Sequence, residues 1–534
     1  MEKLNVGRYV RAGRCNSACL KLGPLSLLLV MLLACNTLST FGQPRALPPA
    51  GSPTLALSAI PDLVEDLPKA RGTVQHTTST PPFVSTATSL PSLPPTSTAT
   101  PVPTPLPGAY ISQSGDTLAA LALRFNTGAD AILRLNPGLP LTQTIMPGLN
   151  IALPLESMVP KGLATRLIPD SELVYSPAAM NFDVQAFVLA QPGFLATYTE
   201  VLTYTESPRA GWEIVSLYAH RYSINPRQLL ALLEYQSHAL SNPSPDGYTR
   251  EHALGVNGPE LLPGLSHQLG WAGGQLNAGY YGWRAGEEAG VRLADGTYQA
   301  VDRNLNAGTY ALVRLLGLLN KRHAFLRAVS PEGFMATYER LFGDPLAYAI
   351  EPLIPGGLTQ VEMQLPFEPG VEWAFTAGPH PAYGRTSPLG ALDFGPPAEF
   401  ESCVASPEWV VAVRDGIVTY SGDGRVELDV GEGWSVVYLH VATLDRVSVR
   451  THVRAGDPLG HPSCEGGPAT AAHVHIARKF RGEWIPADGF APFEMSGWVA
   501  HFGPMSYTGT LTKGERVIES CRCAQAATRL WFEP

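Results

Sequence analysis

Hydrophobic positions follow different periods in different parts of the chain. In LNAGTYALVRLLGLL (residues 305–319) apolar residues recur every three or four positions, which predicts a helix buried along one face. From about residue 365 the pattern changes to short apolar runs such as WVVAVRDGIVTYS and WSVVYLHVATL. Asp-Gly and Gly-rich turns separate these runs, which predicts antiparallel strands. The chain has 534 residues, so we expect several domains.

The first 35 residues have the pattern of an export signal. Basic residues precede the apolar run LSLLLVMLL (residues 25–33), which is too short to be a good transmembrane span. The run ends in LLAC, which resembles the lipobox of bacterial lipoproteins. That resemblance implies that Cys35 is lipidated and anchors an extracytoplasmic protein to the membrane of the cell envelope. A plain signal peptide with an incidental cysteine is the alternative.

Composition indicates a linker after this signal. Residues 36–108 are rich in proline, serine and threonine, and no charged residue occurs between residues 72 and 108. Such a segment does not bury a core and favours extended conformations, so we expect a stalk. The whole chain carries a formal net charge of -9 without a basic block, which argues against nucleic acid as a partner.

Residues 109–154 show the order strand, helix, helix, strand. Asp116 or Thr117 is placed to cap the first helix, and Asn136 lies at the end of the second. With Gly115, these residues resemble a LysM module. The resemblance implies that the module binds glycan containing N-acetylglucosamine in peptidoglycan, and that these four residues contribute. An unrelated small α+β domain is the alternative.

Long helical patterns of apolar residues in the segment 183–344 predict a helical middle domain. The segment NPRQLLALLEYQSHAL resembles the catalytic helix of lytic transglycosylases, a lysozyme-like family in which the helix ends in a Glu-Ser pair. Gln236 stands where that acid is expected, and an amide does not protonate a glycosidic oxygen. Glu234 is roughly 200° away around the helix. We therefore expect a degenerate domain that binds glycan or acts as a spacer; glycan cleavage by Glu234 is a further alternative.

Histidines in the C-terminal part have the spacing of a metal site. His473 and His475 flank Val474 in an apolar run, and residues two apart in a strand point to the same face. His380 precedes Asp393 by thirteen residues, and His440 ends the strong strand pattern WSVVYLH. Two imidazoles and a carboxylate suit a tetrahedral zinc that keeps one position open for water.

This set of residues resembles the M23 zinc endopeptidases, which cut peptidoglycan cross-links. Leu389 replaces the first histidine of their common His-x-Gly-x-Asp motif, but the staphylolytic and β-lytic branch uses a more distant histidine. The resemblance implies that His380, Asp393 and His475 bind Zn²⁺. It also implies that His473 accepts a proton from the attacking water while His440 stabilises the oxyanion or protonates the leaving amine. The sequence does not decide which of the two histidines, His440 or His473, has which role.

Four cysteines remain in the C-terminal part, and an even number in an exported protein predicts disulfides. Four cysteines allow three pairings, and the sequence does not decide among them. Cys464 is expected to form a disulfide, for which Cys403 is one candidate partner. Cys521 and Cys523 are too close in sequence to pair comfortably, so we expect each of them to bond elsewhere.

The sequence thus predicts a multidomain, lipid-anchored zinc endopeptidase of the cell wall. Its peptidase domain is expected over residues 365–510, in an antiparallel β fold, with residues 511–534 as a C-terminal tail. The alternative is an inactive wall-binding lipoprotein that activates another peptidoglycan hydrolase.

Overall fold

The computed structural model describes residues 108–154, 162–202, 207–257, 263–397, 402–523 and 525–533. The predicted export signal, the lipidation site Cys35 and nearly all of the linker lie outside the described residues. Among the helices of the described ranges, none has the length and apolar character that crossing a membrane requires.

The LysM-like module is a two-stranded sheet with two helices. Strands β1 (Gly108–Ile111) and β2 (Asn150–Leu153) pair antiparallel around helices α1 (Leu118–Arg124) and α2 (Ala129–Leu135). The predicted order is therefore confirmed. Thr117 caps α1, because its hydroxyl accepts a hydrogen bond from the Ala120 N–H.

The middle domain is helical, as predicted, and it packs around one large apolar core. Its helices are α3 (Asp170–Leu173), α4 (Val184–Leu189), α5 (Gly211–Tyr222), α6 (Pro226–Ser237), α7 (Gly247–Glu251), α8 (Leu265–Ala285), α9 (Ala307–Leu319), α10 (Arg322–Ala328) and α11 (Ala336–Phe342). Two small hairpins accompany them, β3 (Thr199–Val201) with β4 (Pro208–Ala210) and β5 (Gly290–Arg292) with β6 (Tyr298–Ala300). Asn225 caps α6 and Pro226 starts it, as a fixed proline φ favours at the first helical position.

The C-terminal domain is built from antiparallel strands. They are β7 (Trp373–Pro381), β8 (Leu389–Gly395), β9 (Val410–Val411), β10 (Gly416–Gly422), β11 (Arg425–Gly431), β12 (Trp434–Leu439), β13 (His452–Val453), β14 (Pro458–Gly460), β15 (Val474–Phe480), β16 (Glu483–Trp484), β17 (Glu494–Met495), β18 (Trp498–Phe502), β19 (Gly509–Lys513), β20 (Arg516–Glu519) and β21 (Arg529–Leu530). The main sheet has the order β13-β10-β11-β12-β15-β8-β7-β21, with β16 paired to β15.

The segment 511–534, expected as a tail, is part of this domain. Strand β20 pairs with β19, and β21 pairs with β7 at the edge of the main sheet. Leu530 is fully buried and Phe532 is largely buried in the same core as the other strands. The expectation of a tail was wrong because these strands are short and carry little periodicity.

The two faces of the main sheet have different partners. Val474 and Ile476 of β15 point into the core of the β domain. Ala477 points to the opposite face, where an apolar cluster also contains Trp484 and contacts Tyr281 of α8. Residues two apart in a strand point to the same face, so the middle domain packs on the face of the sheet from which the His475 side chain projects.

A buried polar cluster joins the two domains beside this contact. The Arg284 guanidinium lies 3.1 Å from Glu483 and 3.1 Å from Asp170, and the Tyr280 hydroxyl donates to Glu483 at 2.9 Å. Paired charges of this kind tolerate burial because each has an opposite charge and hydrogen bonds.

Within the described ranges, cysteines form two disulfides, Cys403–Cys464 and Cys521–Cys523. The first pairing is confirmed. The expectation that Cys521 and Cys523 bond elsewhere was wrong: their Cα atoms are 5.0 Å apart, within the range that a disulfide spans.

Replacing Asp116 by asparagine should destabilise the LysM-like module. Asp116 is buried, lies 3.1 Å from the Arg124 guanidinium and accepts the Tyr110 hydroxyl. Removing one charge of a buried pair leaves the other uncompensated, so we expect a loss of about 3 kcal/mol in the free energy of unfolding. Denaturant unfolding of full-length protein measures this. Asp130→Asn, at an exposed position, is the control, and equal stability of both variants would contradict the prediction.

Candidate metal centre

Three side chains from three strands meet in one small volume. His475 on β15 lies directly opposite Asp393 on β8, and β7 brings His380 beside them. The His380 Nε2 and His475 Nδ1 atoms are 2.9 Å apart, and each lies 3.2 Å from Asp393 Oδ1. Among the described residues, this is the one group of three or more His, Cys, Asp or Glu residues whose ligand atoms approach one another in this way.

Backbone carbonyl groups set the tautomers of both histidines. His380 Nδ1 lies 2.9 Å from the Gly378 carbonyl oxygen, and His475 Nε2 lies 3.1 Å from the Ala382 carbonyl oxygen. A nitrogen facing a carbonyl must carry the proton, so the other ring nitrogen of each neutral imidazole holds a lone pair. Both lone pairs therefore point at the same place as Asp393 Oδ1. Such carbonyl partners are the usual support of histidine ligands.

Asp393 supplies a second indication of a cation site. Its Oδ1 atom is buried and accepts no hydrogen bond within the described part of the chain. Burial alone would raise the pKa of this carboxyl group, but the positive charges that His380 and His473 carry when protonated outweigh burial and hold the pKa well below its usual range. A buried, charged oxygen without a donor costs several kcal/mol unless a cation compensates it (roughly 2–7 kcal/mol for a neutral polar group, more for a charge).

His440 and His473 lie side by side at the edge of this group, with ring centroids 4.4 Å apart. His440 Nδ1 faces the Glu465 carbonyl oxygen at 2.8 Å, and His473 Nδ1 faces the Ala471 carbonyl oxygen at 2.8 Å. Each therefore presents Nε2 as its lone-pair nitrogen, and His473 Nε2 is 3.6 Å from Asp393 Oδ2. Burial, and then the neighbouring histidines, lower the pKa of His440 to about 3.

All five predicted site residues are thus brought together. His440 follows β12 in a left-handed backbone conformation with φ of 64°, which turns its side chain toward the neighbouring loop that ends at His473. The other histidines of this domain have different surroundings. His452 is exposed, His461 packs on Trp409, and His501 lies 2.8 Å from the Thr512 hydroxyl.

An open cleft of about 360 Å³ leads to the group. Asp393 and His473 lie in its wall, together with residues 468–472, Thr376, Ala377, Tyr507 and Arg522. The Tyr507 ring stacks on His380 at 4.5 Å between centroids. Sequence reasoning missed Tyr507 and Arg522 because neither belongs to a motif, and because Arg522 lies in the segment that was expected to be a tail after the domain.

The four residues expected to bind glycan are engaged within the protein. The Asn136 amide exchanges hydrogen bonds with the backbone of Ala152, Asp116 pairs with Arg124, and Thr117 caps α1. Gly115 packs so closely on the Arg284 guanidinium that an added Cβ would lie 3.1 Å from it. These contacts explain why the positions have these residue types; a contribution to glycan binding stays a prediction.

The middle domain shows no replacement for the catalytic acid of lytic transglycosylases, whose place in the sequence Gln236 takes. Glu234 is buried, and its carboxylate accepts the Leu240 N–H and the Ser241 hydroxyl and pairs with Arg340 at 3.0 Å. These contacts hold the C-terminal end of α6. Glu234 therefore has a structural role there and does not act as the catalytic acid in place of Gln236.

Comparison with known protein families matches three parts of the chain. Residues 110–154 match the LysM domain, residues 166–354 match the N-terminal domain of LasA, and residues 402–486 match peptidase family M23. The C-terminal domain is an M23 peptidase domain. The M23 match includes His440, His473 and His475; His380 and Asp393 precede it, and the sheet register joins them to the domain.

The chain is also similar to individual known proteins. "Protease LasA" of Pseudomonas aeruginosa (strain UCBPP-PA14) is 27% identical over 357 residues, which is 61% of this chain and 77% of that protein. The deep-sea M23 metalloprotease pseudoalterin is 21% identical, with a TM-score of 0.27 over 32% of this chain and 99% of that structure. The catalytic domain of lysostaphin from Staphylococcus simulans is 20% identical, with a TM-score of 0.17 over 22% of this chain and 89% of that structure.

The ligand set fits Zn²⁺. Two imidazole nitrogens and one carboxylate oxygen are the protein ligands of many catalytic zinc sites, which leave a fourth position for water. That set is supplied by His380, Asp393 and His475, whose lone pairs point to one place within the folded protein.

Chelation should lower the stability of the M23 domain. An ion that binds only the folded state at 100 times its Kd stabilises by about 2.7 kcal/mol, so removing it should lower the melting temperature. Thermal unfolding of the full-length protein with zinc and with a chelator measures the difference. Asp393→Ala should lose the chelator effect while His452→Ala keeps it; a chelator effect of wild-type size in Asp393→Ala would contradict the assignment.

Proposed function

We propose that this protein is a zinc endopeptidase that hydrolyses peptide bonds in the cross-links or bridges of peptidoglycan, and that His380, Asp393 and His475 bind the ion. One observation carries the proposal: the lone pairs of His380 and His475 point to the same place as the Asp393 Oδ1 atom, which accepts no hydrogen bond within the described residues. The M23 match and the LasA relatives support the same reaction class.

Bound zinc would supply a water of lowered pKa and polarise the scissile carbonyl. His473 would be the residue that accepts a proton from the attacking water, because its Nδ1 is held by the Ala471 carbonyl and its Nε2 carries the lone pair. His440 lies on the same edge of the group with its Nδ1 held by the Glu465 carbonyl; once its Nε2 has taken up a proton, it would stabilise the oxyanion or deliver that proton to the departing amine. The two roles are interchangeable in this geometry.

Wall binding fits the rest of the chain. The LysM match implies recognition of glycan with N-acetylglucosamine, and the lipobox-like sequence at Cys35 implies a lipid anchor on the outer side of the membrane. The proline-rich stalk would then separate the anchored end from the LysM and peptidase domains. In this arrangement the protein works in the cell envelope, outside the cytoplasm, on peptidoglycan within reach of its anchor.

A competing function is a wall-binding protein that has lost catalysis and activates another hydrolase. Such a protein has no chemical need for carbonyl-oriented imidazoles around a buried carboxylate. The complete set of five residues therefore favours the enzyme.

Cleavage of purified peptidoglycan by zinc-loaded full-length protein tests the proposal. Wild type should release free amino groups without new reducing ends, since a peptidase leaves the glycan intact. His473→Ala should keep its zinc and lose roughly 10²–10⁴-fold in rate, as expected for general acid–base assistance. His475→Ala should lose both zinc and cleavage.

His452→Ala is the matched control, because this exposed histidine of the same domain lies outside the site. It should retain zinc and full activity. New reducing ends in place of amino groups, or a wild-type protein that binds zinc and cuts nothing, would contradict the proposed reaction.

A further inference from the structure

We infer that Arg522 forms a binding subsite for a carboxylate of the substrate peptide, close to the scissile bond. The inference rests on the proposed function, which it deepens by naming a chemical feature of the substrate. It assigns a specificity role to a residue outside the ligand group and outside the matched M23 segment.

The position of Arg522 carries the first part of the argument. Arg522 lies in the wall of the cleft that reaches Asp393 and His473, and its guanidinium carbon is 5.6 Å from the centre of the Tyr507 ring. Tyr507 in turn stacks on the ligand His380. A peptide that enters this cleft to reach the metal therefore passes the guanidinium.

The backbone holds Arg522 in this place. The disulfide joins its two neighbours, Cys521 and Cys523, so both flanking residues are fixed. The Cys521 N–H donates to the Phe375 carbonyl on β7, and the Cys523 carbonyl accepts the Thr528 hydroxyl. A binding group on a restrained backbone loses less entropy on binding than one on a free loop.

The charge of Arg522 is available to a ligand. Across the described ranges, no carboxylate lies within ion-pair distance of its guanidinium, and it is the one arginine or lysine in the cleft wall. The acidic member of the wall, Asp393, belongs to the ligand group. Guanidinium groups bind carboxylates through two parallel hydrogen bonds, which makes a carboxylate the fitting partner.

Peptidoglycan stem peptides offer such carboxylates at an internal acidic residue or at the peptide end. Both sources share the chemistry that Arg522 recognises. Paired synthetic stem peptides distinguish them, one pair with the internal carboxylate free or amidated and one pair with the terminal carboxylate free or amidated.

The test measures binding and cleavage of these peptides by the zinc-loaded full-length protein. Titration calorimetry should show that wild type binds the free-carboxylate member of one pair about tenfold more tightly, as a charge-assisted hydrogen bond to this exposed guanidinium provides. Arg522→Gln should abolish that preference without weakening binding of the amidated peptide. Arg522→Lys should retain part of it, because it keeps the charge without the planar fork.

Arg454→Gln is the control, since this exposed arginine follows β13 at the opposite end of the main sheet. It should behave as wild type. In cleavage assays Arg522→Gln should raise KM for the preferred peptide about tenfold while kcat changes less than twofold.

A carboxylate preference that survives in Arg522→Gln would place the carboxylate on the ion or elsewhere and overturn the inference, as would equal wild-type binding of both members in both pairs. Preferential binding that depends on Arg522 without any cleavage would support the subsite and count against the proposed reaction. Failure of the subsite and failure of the function therefore give different results.

Discussion

The register of strand β15 between β12 and β8 is the constraint on which the site depends. In this register His475 is opposite Asp393 on one side and Leu439, the residue before His440, on the other. A shift of one residue would turn His475 toward the core and bring Val474 to the site face, because side chains alternate along a strand. Val474 and Ile476 are fully buried in the core, so the apolar core fixes the register and thereby the ligand geometry.

The middle domain uses the same face of this sheet. Ala477 follows His475 by two residues on β15 and lies under an apolar layer that includes Trp484. The backbone N–H of Trp484 donates to the Tyr281 hydroxyl at 2.8 Å. The Thr386 hydroxyl donates to the Gly274 carbonyl of α8 at 2.6 Å. The sheet face beside the ligands is thus covered by the helical domain, and the cleft beside Tyr507 is open on the other side of the group.

Much of the site could be predicted from the sequence because its signals are local. His473 and His475 are two residues apart in an apolar run, which fixes a common face, and His380 has the spacing that the β-lytic branch shows. Contacts between distant segments left no such pattern. Arg284 and Glu483 are 199 residues apart and pair through a domain contact that no local period indicates.

Residues after 510 were misjudged for a related reason. Strand β21 has two residues and gains its stability from pairing with β7, which no short apolar run can show by itself. Arg522 reaches the cleft only because the chain returns to β7 there. The module residues Gly115, Asp116, Thr117 and Asn136 matched a family motif, but a motif does not separate fold-holding residues from ligand-binding ones.

We propose that three lone pairs, oriented by backbone carbonyls and by strand register, bind one zinc ion. A crystal structure of the zinc-loaded full-length protein, with anomalous diffraction at the zinc edge, tests it most directly. We predict one ion at roughly 2.0–2.2 Å from His380 Nε2, Asp393 Oδ1 and His475 Nδ1. An ion bound elsewhere, or bound through His380 Nδ1 or His475 Nε2, would rule out this set of ligand atoms.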